Sequence, residues 1–369
     1  MSVILKSGET VFEPIPLLDS PWLTVYHPQS LWRFNPSHIV IEGMWYLVAL
    51  LTLIHALRSS SRLGRPLGLW FGVLVGSVIF ELNQIGNPQV GNTYFTQSTV
   101  MVHHRLEPLE RLLMAGMAGC YSFAIFPSFD IAGYHFMWNT FHESEAYFEP
   151  AIAEVQIAGT YFMAALAASA AFVYSYTKSL GTVTSMAANA VLLPVLPGCM
   201  TMIFLLMLKA FQMPFLPFYV LEVFCVACAL IAALQGKMLK FDSLLALSIG
   251  SLVTCYATWL LFSPSKQTNM RFGYGQAFVN YDCRAEFETS TWGLLSRGKF
   301  LCPQRMRPDL SFNFDCLQSF PEDHSTWYWS CGVPVPEGVD AEMRYLFVRA
   351  FVGILSLKAV SHLNKDKRD

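Results

Sequence analysis

Long apolar runs separated by short polar segments dominate this chain. Seven runs are candidates to cross a bilayer, which takes about 20 apolar residues in helical form. They cover residues 39–57, 67–82, 112–126, 155–177, 186–211, 216–234 and 243–263, and a weaker eighth run covers 345–360. Only a helix satisfies its own backbone in hydrocarbon over such lengths. The pattern therefore predicts an all-α, polytopic transmembrane helix bundle of seven to nine spans, with eight as the best number.

The same pattern divides the chain into four parts. We expect an N-terminal segment at 1–38, a transmembrane bundle at 39–263, a Cys-rich extracytoplasmic loop at 264–342, and a last transmembrane helix with a basic cytosolic tail at 343–369. The composition agrees, because 54% of the residues are hydrophobic and only 14% are charged, against about 25% charged in soluble proteins. The net charge of -2 gives no indication of a nucleic-acid partner.

The cysteines fall into two groups. Five lie in apolar runs, and four lie in the polar loop: Cys283, Cys302, Cys316 and Cys331. The loop cysteines are widely spaced and form no C-x-x-C pair, which favours two disulfides over a zinc site. Three connectivities stay open for four cysteines. Disulfides form on the oxidising side of a membrane, so the loop is expected to be extracytoplasmic, in the secretory pathway or at the plasma membrane.

Basic residues indicate the orientation of the helices. Lysines and arginines after the last run favour a cytosolic C-terminus under the positive-inside rule, and the acidic segment 130–149 is expected outside. Eight crossings then put the N-terminus inside and leave Arg58, Arg62 and Arg65 outside, against that rule. An extra crossing or a re-entrant segment within 84–104 would move these arginines inside, and these arrangements stay open.

Ionisable residues inside membrane segments are costly and therefore mark functional sites. The candidates are His55, Glu81, Glu154, Glu222 and Arg349. Glu81 ends the second run and Glu154 opens the fourth. Arg349 is expected either to extend toward the membrane surface or to pair with an acid such as Glu222.

Two H-x-x-E patterns suggest a divalent metal, since this spacing places an imidazole and a carboxylate on one helix face. They are His104 to Glu107 and His142 to Glu145. His103 and His135 are further candidate ligands. The alternative is a solvated surface beside the membrane. If 112–126 spans the bilayer, the two patterns lie on opposite sides and cannot share a metal.

One short segment is similar to a known family. Glu81, followed by Gly86, Asn92 and Tyr94, is similar to the pattern in membrane carotenoid hydratases. The likeness is confined to residues 81–94, and no catalytic role is carried over from it.

The sequence favours a multi-pass membrane protein that resembles transporters or receptors and uses its intramembrane acids and its loop. A membrane-embedded, metal-dependent enzyme that modifies lipids is the second hypothesis. An assembly partner that docks through the Cys-rich loop is the third. The expected partners are the lipid bilayer and a small-molecule or lipid ligand, with no nucleic acid. The cofactor is unknown apart from the candidate metal.

Overall fold

The computed structural model describes the parts of the chain on which all structural statements below rest. These are residues 2–4, 10–12, 15–16, 24–25, 28–59, 67, 70–72, 74–75, 93–95, 100–101, 119–141, 151–152, 155–156, 159–161, 163–167, 169, 182–211, 216, 218–223, 226, 242–272, 277–278, 287–289, 296–298, 312–325 and 327–365.

Six helices have defined bounds in the described residues. They are α1 (Pro28–Phe34), α2 (Pro36–Ser59), α3 (Gly119–His135), α4 (Thr182–Phe211), α5 (Asp242–Leu261) and α6 (Val339–Lys365). Further helical residues lie at 70–72, 163–167 and 218–223. The helices α2, α4, α5 and α6 fall on the apolar runs predicted at 39–57, 186–211, 243–263 and 345–360. Helix α4 continues through Pro194 and Pro197.

Helix α3 extends nine residues beyond its predicted end at residue 126, and residues 112–118 of the predicted run lie outside the described residues. The sequence predicted a helix over 112–126 and an acidic segment outside the membrane from residue 130, whereas α3 ends at His135 and contains Asp130. Pro127 lies inside the helix and does not end it, as is common where neighbouring helices support the backbone. Because the apolar sequence continues around Asp130, this acid belongs to the helix rather than to a loop.

Short antiparallel strands occupy several connecting segments. β1 (Ser2–Ile4) pairs with β2 (Thr10–Phe12), β5 (Thr93–Phe95) with β7 (Asn139–Phe141), β8 (Ala151–Ile152) with β9 (Val155–Gln156), and β11 (Phe287–Thr289) with β12 (Ser296–Gly298). A three-stranded sheet joins β3 (Ile15–Pro16), β4 (Thr24–Val25) and β6 (Val100–Met101). The longest pair is β10 (Thr268–Phe272) with β13 (Trp327–Cys331).

The main core lies between four helices. Helix α3 contacts α5 and α6, and α2 contacts α5. Trp45 of α2 lies against Phe129 of α3, with 5.2 Å between the ring centroids. Burial of such side chains stabilises a fold by about 1.5–3 kcal/mol each in water. The most completely buried residues of this core include Ala132, Leu252, Met343 and Ala350.

A second, smaller core joins the N-terminal region to the Cys-rich loop. Leu31 and Phe34 of α1 pack with residues from three parts of the loop: Met270, Phe314, Leu317, Tyr328, Trp329 and Cys331. Phe34 meets Trp329 edge to face, with centroids 6.0 Å apart. We call α1 together with residues 264–272 and 312–338 the cap. The cap makes the start of the chain and the loop one packed unit.

Among the described residues, one helix is long and apolar enough to cross a membrane. It is the stretch Pro36–Arg58, whose most apolar 18 residues are 33% buried inside the protein. Two shorter apolar stretches are Val183–Leu192 and Ala246–Leu261. Large apolar side chains point outward along the helices: Leu47, Leu50, Leu57, Val191, Val195, Ile203, Leu206, Val348 and Val352 are all exposed.

Candidate functional site

Four helix ends meet at one end of the bundle, beneath the cap. The indole Nε1 of Trp138, just after α3, donates to the hydroxyl of Ser37 at the start of α2, at 3.1 Å. The indole Nε1 of Trp259, near the end of α5, donates to Asp340 at the start of α6, at 2.9 Å. Helices α2 and α6 therefore begin at this end, and α3 and α5 finish there.

The antiparallel pair β10–β13 rests on the end of α3. The side-chain amide of Asn269 donates to the backbone carbonyl of Met137 at 2.7 Å. The hydroxyl of Ser330 donates to the Met137 sulfur at 3.6 Å. Met137 has φ 60, a backbone conformation that is uncommon without glycine. Its carbonyl is buried with a partner, as buried polar groups require. This strand pair thus closes the bundle at this end.

A disulfide and a glycine hold the cap tightly together. Cys316 is bonded to Cys331, with their Cα atoms 5.9 Å apart. One of the loop disulfides predicted from the sequence is therefore present, and the structure supplies its pairing. Cys283 and Cys302 lie outside the described residues. Next to the disulfide, the N–H of Gly332 donates to Gln267 at 2.8 Å, and a Cβ at Gly332 would come within 1.8 Å of the carbonyl oxygen of Pro264.

One cationic residue is buried inside the cap. Arg271 of β10 hydrogen-bonds the phenol of Tyr328 on β13. Burial lowers the pKa of Arg271, and the nearby Tyr328 and Tyr134 oppose that shift. Burial likewise raises the pKa of Tyr328, although Arg271 acts in the opposite direction. Tyr134 belongs to α3, so this group also ties the cap to the bundle.

The first long helix carries a row of protonatable side chains. His38, Glu42 and Tyr46 lie at successive i, i+4 positions of α2, which places them on one face. The hydroxyl of Tyr46 donates to Glu42 at 2.5 Å, and the His38 Nε2 lies 3.9 Å from the other carboxylate oxygen. His38 and Glu42 are each 2% exposed. Within the described part of the chain, neither ring nitrogen of His38 makes a hydrogen bond.

A second buried acid lies on α3. The hydroxyl of Thr160 donates to the carboxylate of Asp130 at 3.0 Å. Gly159 lies so close that a Cβ there would be 3.3 Å from the same carboxylate oxygen. Asp130 is therefore enclosed between α3 and the helical residues 159–161.

A third ionic group links α6 with residues 218–223. Arg349 Nη2 donates to the carboxylate of Glu222. Their side chains are 49% and 16% exposed, respectively. This is the pairing that the sequence suggested for Arg349, and the structure confirms it.

The remaining predicted residues are placed as follows. His55 is exposed near the end of α2. His135 is buried and packs against the ring of Trp259 at 5.9 Å and that of Tyr134 at 5.5 Å. It therefore lies in an aromatic core and not in the polar connecting segment where we expected it. Seven candidates lie outside the described residues: Glu81, His103, His104, Glu107, His142, Glu145 and Glu154.

The structure shows no metal cluster in the part of the chain that it describes. No three His, Cys, Asp or Glu side chains come together there in a way that could hold a metal ion. The two H-x-x-E patterns lie outside that part, so the metal hypothesis stays a prediction.

Sequence reasoning missed three of the buried ionisable residues. His38 was assigned to the N-terminal segment because the first span was drawn from residue 39. Glu42 lay inside that span but was not singled out. The spacing His38, Glu42, Tyr46 was the signal that could have found both. Asp130 was missed because it was placed in an outside loop.

No protein-family model, no curated protein and no solved structure matches this chain.

Proposed function

We propose that this chain is a multi-pass integral membrane protein that transports protons across the bilayer. The outward faces of its helices support the membrane assignment. Soluble monomers rarely expose large continuous apolar patches, yet α2 alone exposes Leu47, Leu50, Leu51 and Leu57. In lipid these side chains are in their preferred solvent. Only 33% of the most apolar part of α2 is buried, so much of that helix is left to face hydrocarbon.

The orientation follows from the meeting of the helix ends. A disulfide-bonded cap belongs on the oxidising side, and α2 begins at the cap through Ser37. The N-terminal segment would then be extracytoplasmic too, and Arg58 would lie at the cytosolic end of α2, as the positive-inside rule favours. With the C-terminus inside, the number of crossings becomes odd, so we propose seven or nine in place of eight.

Single cysteines at the two ends of the first helices test this orientation. Gln29→Cys on α1 and Arg58→Cys on α2 are both exposed positions. In intact cells a membrane-impermeant maleimide should label the first and reach the second only after permeabilisation. Labelling of Arg58→Cys from outside, or protection of Gln29→Cys, would contradict the proposed orientation.

The row on α2 is the observation that carries the transport function. Charged side chains within membrane helices are rare and mark ion or proton pathways. His38, Glu42 and Tyr46 can each bind and release a proton, and together they extend about 12 Å along the helix at 1.5 Å per residue. Neither ring nitrogen of the buried His38 has a hydrogen-bond partner in the described residues. The unprotonated nitrogen is therefore free to accept a proton. The row therefore forms the outer part of a proton path.

Proton uptake by reconstituted protein is the direct test. The full chain is placed in liposomes that contain a pH indicator, and an inside-negative potassium diffusion potential is imposed. We expect the lumen to acidify faster than in liposomes without protein. Glu42→Gln should remove this additional rate, because an amide cannot carry the proton. Tyr46→Phe should reduce it, because the phenol that donates to Glu42 is lost.

Glu337→Gln is the matched control, because this residue is an exposed glutamate in the cap. Its proton uptake should equal that of the unmodified protein. Uptake by the unmodified protein at the rate of empty liposomes would refute the proposal, and so would undiminished uptake by well-folded Glu42→Gln protein.

A further inference from the structure

The side chains at the start of α2 form a hydrogen-bonded network that fixes the orientation of one amide. Asn35 precedes the helix and caps it, because its Oδ1 accepts from the backbone N–H of His38 at 3.1 Å. The same oxygen accepts from the hydroxyl of Ser37 at 2.6 Å, and that hydroxyl accepts from the indole of Trp138. With two donors on Oδ1, the network assigns the amide its orientation. The Nδ2 of Asn35 therefore lies on the side away from both donors.

Three polar side-chain atoms at this place are buried and have no hydrogen-bond partner among the described residues. They are the Nδ2 of Asn35 and the two ring nitrogens of His38. Asn35 is fully buried and His38 is 2% exposed. Buried polar groups nearly always have a partner, which is either protein or ordered water, because an unpaired group pays the full cost of its desolvation. These atoms therefore need a partner that the described side chains do not supply.

The chemistry of these atoms favours water over an ion. His38 holds the third position of α2, and a side chain there leans back towards the residue that caps the helix. The neutral imidazole offers one donor and one acceptor nitrogen, and the Asn35 amide offers donors. A water molecule is donor and acceptor at once and is held by two to four such groups. An anion would lie close to the carboxylate of Glu42, which is 3.9 Å from the His38 Nε2, and a cation would meet the amide donors.

We propose that Asn35 and His38 bind a buried water molecule at the start of α2, and that this water supplies protons to His38. The amide of Asn35 donates to the water oxygen, and the water donates to the unprotonated nitrogen of His38. In the transfer, a protonated water gives one proton to His38 and becomes neutral water. The imidazolium then gives one proton to Glu42 and becomes neutral imidazole. The water site rests on the contacts at the start of α2, whereas its part in proton transfer rests on the proposed transport function.

Deuterium exchange at the C2 carbon of histidine tests whether water reaches His38. The full-length protein in detergent is kept in D2O for several days, and mass spectrometry of its peptides then gives the exchange rate of each histidine. His135 is the matched reference, because it is 1% exposed and packs against the rings of Tyr134 and Trp259. We expect His38 to exchange about tenfold faster than His135, because water contacts the first ring and aromatic side chains enclose the second.

Asn35→Ser removes the amide donor and keeps a helix cap, because serine caps helices about as well as asparagine. The exchange rate of His38 should fall about tenfold, since the water loses a donor that holds it. Unfolding would raise this rate, so an unstable variant cannot imitate the expected result.

Asn189→Ser is the matched control. Asn189 is also fully buried, but its Nδ2 donates to the backbone carbonyl of Ser185 at 2.6 Å. Its replacement should leave the exchange rate of His38 unchanged. If Asn35→Ser does not fold, the comparison of His38 with His135 in the unmodified protein still decides whether the water site exists.

Three results would overturn the water site. They are exchange at His38 as slow as at His135 in the unmodified protein, undiminished exchange at His38 in folded Asn35→Ser protein, and an equal fall in Asn189→Ser protein. Slow exchange at His38 with proton uptake still sensitive to Glu42→Gln removes the water site alone. Fast exchange that depends on Asn35, without any proton uptake, removes the transport proposal and leaves the water site.

Discussion

The cap and the helix bundle place their large apolar side chains in opposite ways. In the cap, Leu31, Met270 and Trp329 are buried around a small core, and Trp32 and Phe320 are the exposed large hydrophobic residues among those described there. In the bundle, long helices expose leucine, valine and isoleucine along their outer faces. The two regions lie in one chain and are joined by direct hydrogen bonds at Met137.

This difference is what we expect if water surrounds the cap and lipid surrounds the bundle. A region in water buries its apolar side chains, whereas a helix in lipid gains nothing by hiding them. Polar side chains then carry opposite meanings in the two regions. In the cap they are ordinary, while inside the bundle the buried His38 and Glu42 are costly enough to require a function.

Removal of the disulfide should give the largest effect, a loss of stability in the cap that leaves the bundle unchanged. Replacing both Cys316 and Cys331 by serine should destabilise the cap by about 3 kcal/mol, the value for a closed loop of 15 residues. Proteolysis of the cap should become faster, while the helical circular dichroism of the bundle stays the same. Cys199→Ser, at an exposed free cysteine of α4, should change neither measurement. Joint unfolding of cap and bundle would show that they are not separate regions.

A charge on an exposed apolar residue compares the two solvents directly. Leu47 near the centre of α2 is 55% exposed and Phe320 in the cap is 70% exposed. Leu47→Arg should make the free energy of membrane insertion of α2 less favourable by about 2.5–3.5 kcal/mol. The amount of protein that stays in the membrane after a carbonate wash should then fall. Phe320→Arg should remain within about 0.5 kcal/mol of the unmodified protein. Equal tolerance at both positions would mean that α2 lies in water.

Alkaline pH should have the smallest effect, a loss of stability that is confined to the cap. Burial holds the pKa of Tyr328 above its ordinary value of 10.0, so the folded cap prefers the neutral phenol. The stability from this preference is complete below pH 10.0 and is lost as the pH rises through the higher folded value. The protease resistance of the cap should therefore decline at alkaline pH, and less steeply in Tyr328→Phe. Tyr345→Phe, exposed on α6, should follow the unmodified protein.

The apolar runs were sufficient to predict four of the helices, because a helix needs mostly apolar side chains whether lipid or protein surrounds it. Their pairing across the chain was harder to predict. Arg349 and Glu222 could be matched from the sequence, since opposite charges in two apolar segments have few other partners. The contact of α1 with the loop could not, because it joins residues far apart in the chain and no local pattern encodes it.

Local errors in the predictions had local causes. The end of helix α3 was predicted nine residues too early because Pro127 and Asp130 resemble a helix end in water. The four loop cysteines were recognised as a disulfide set, but only the fold brings Cys316 next to Cys331. His38 and Glu42 were overlooked because a hydropathy pattern ranks segments by their average and hides single polar residues on one face.

The antiparallel pair β10–β13 also brings two distant points of the chain side by side. Its outermost pair is Phe272 with Trp327, so the chain leaves and returns at adjacent points. Insertions are tolerated best where the ends of a segment are close together and few contacts cross the boundary. The chain also comes together at Phe278 and Phe312, whose ring centroids lie 6.4 Å apart. A foreign module inserted between these two residues, such as a fluorescent reporter or an affinity epitope, leaves Cys316, Phe314 and Leu317 in the cap. The outer surface of the loop can therefore be changed without redesigning the helices below.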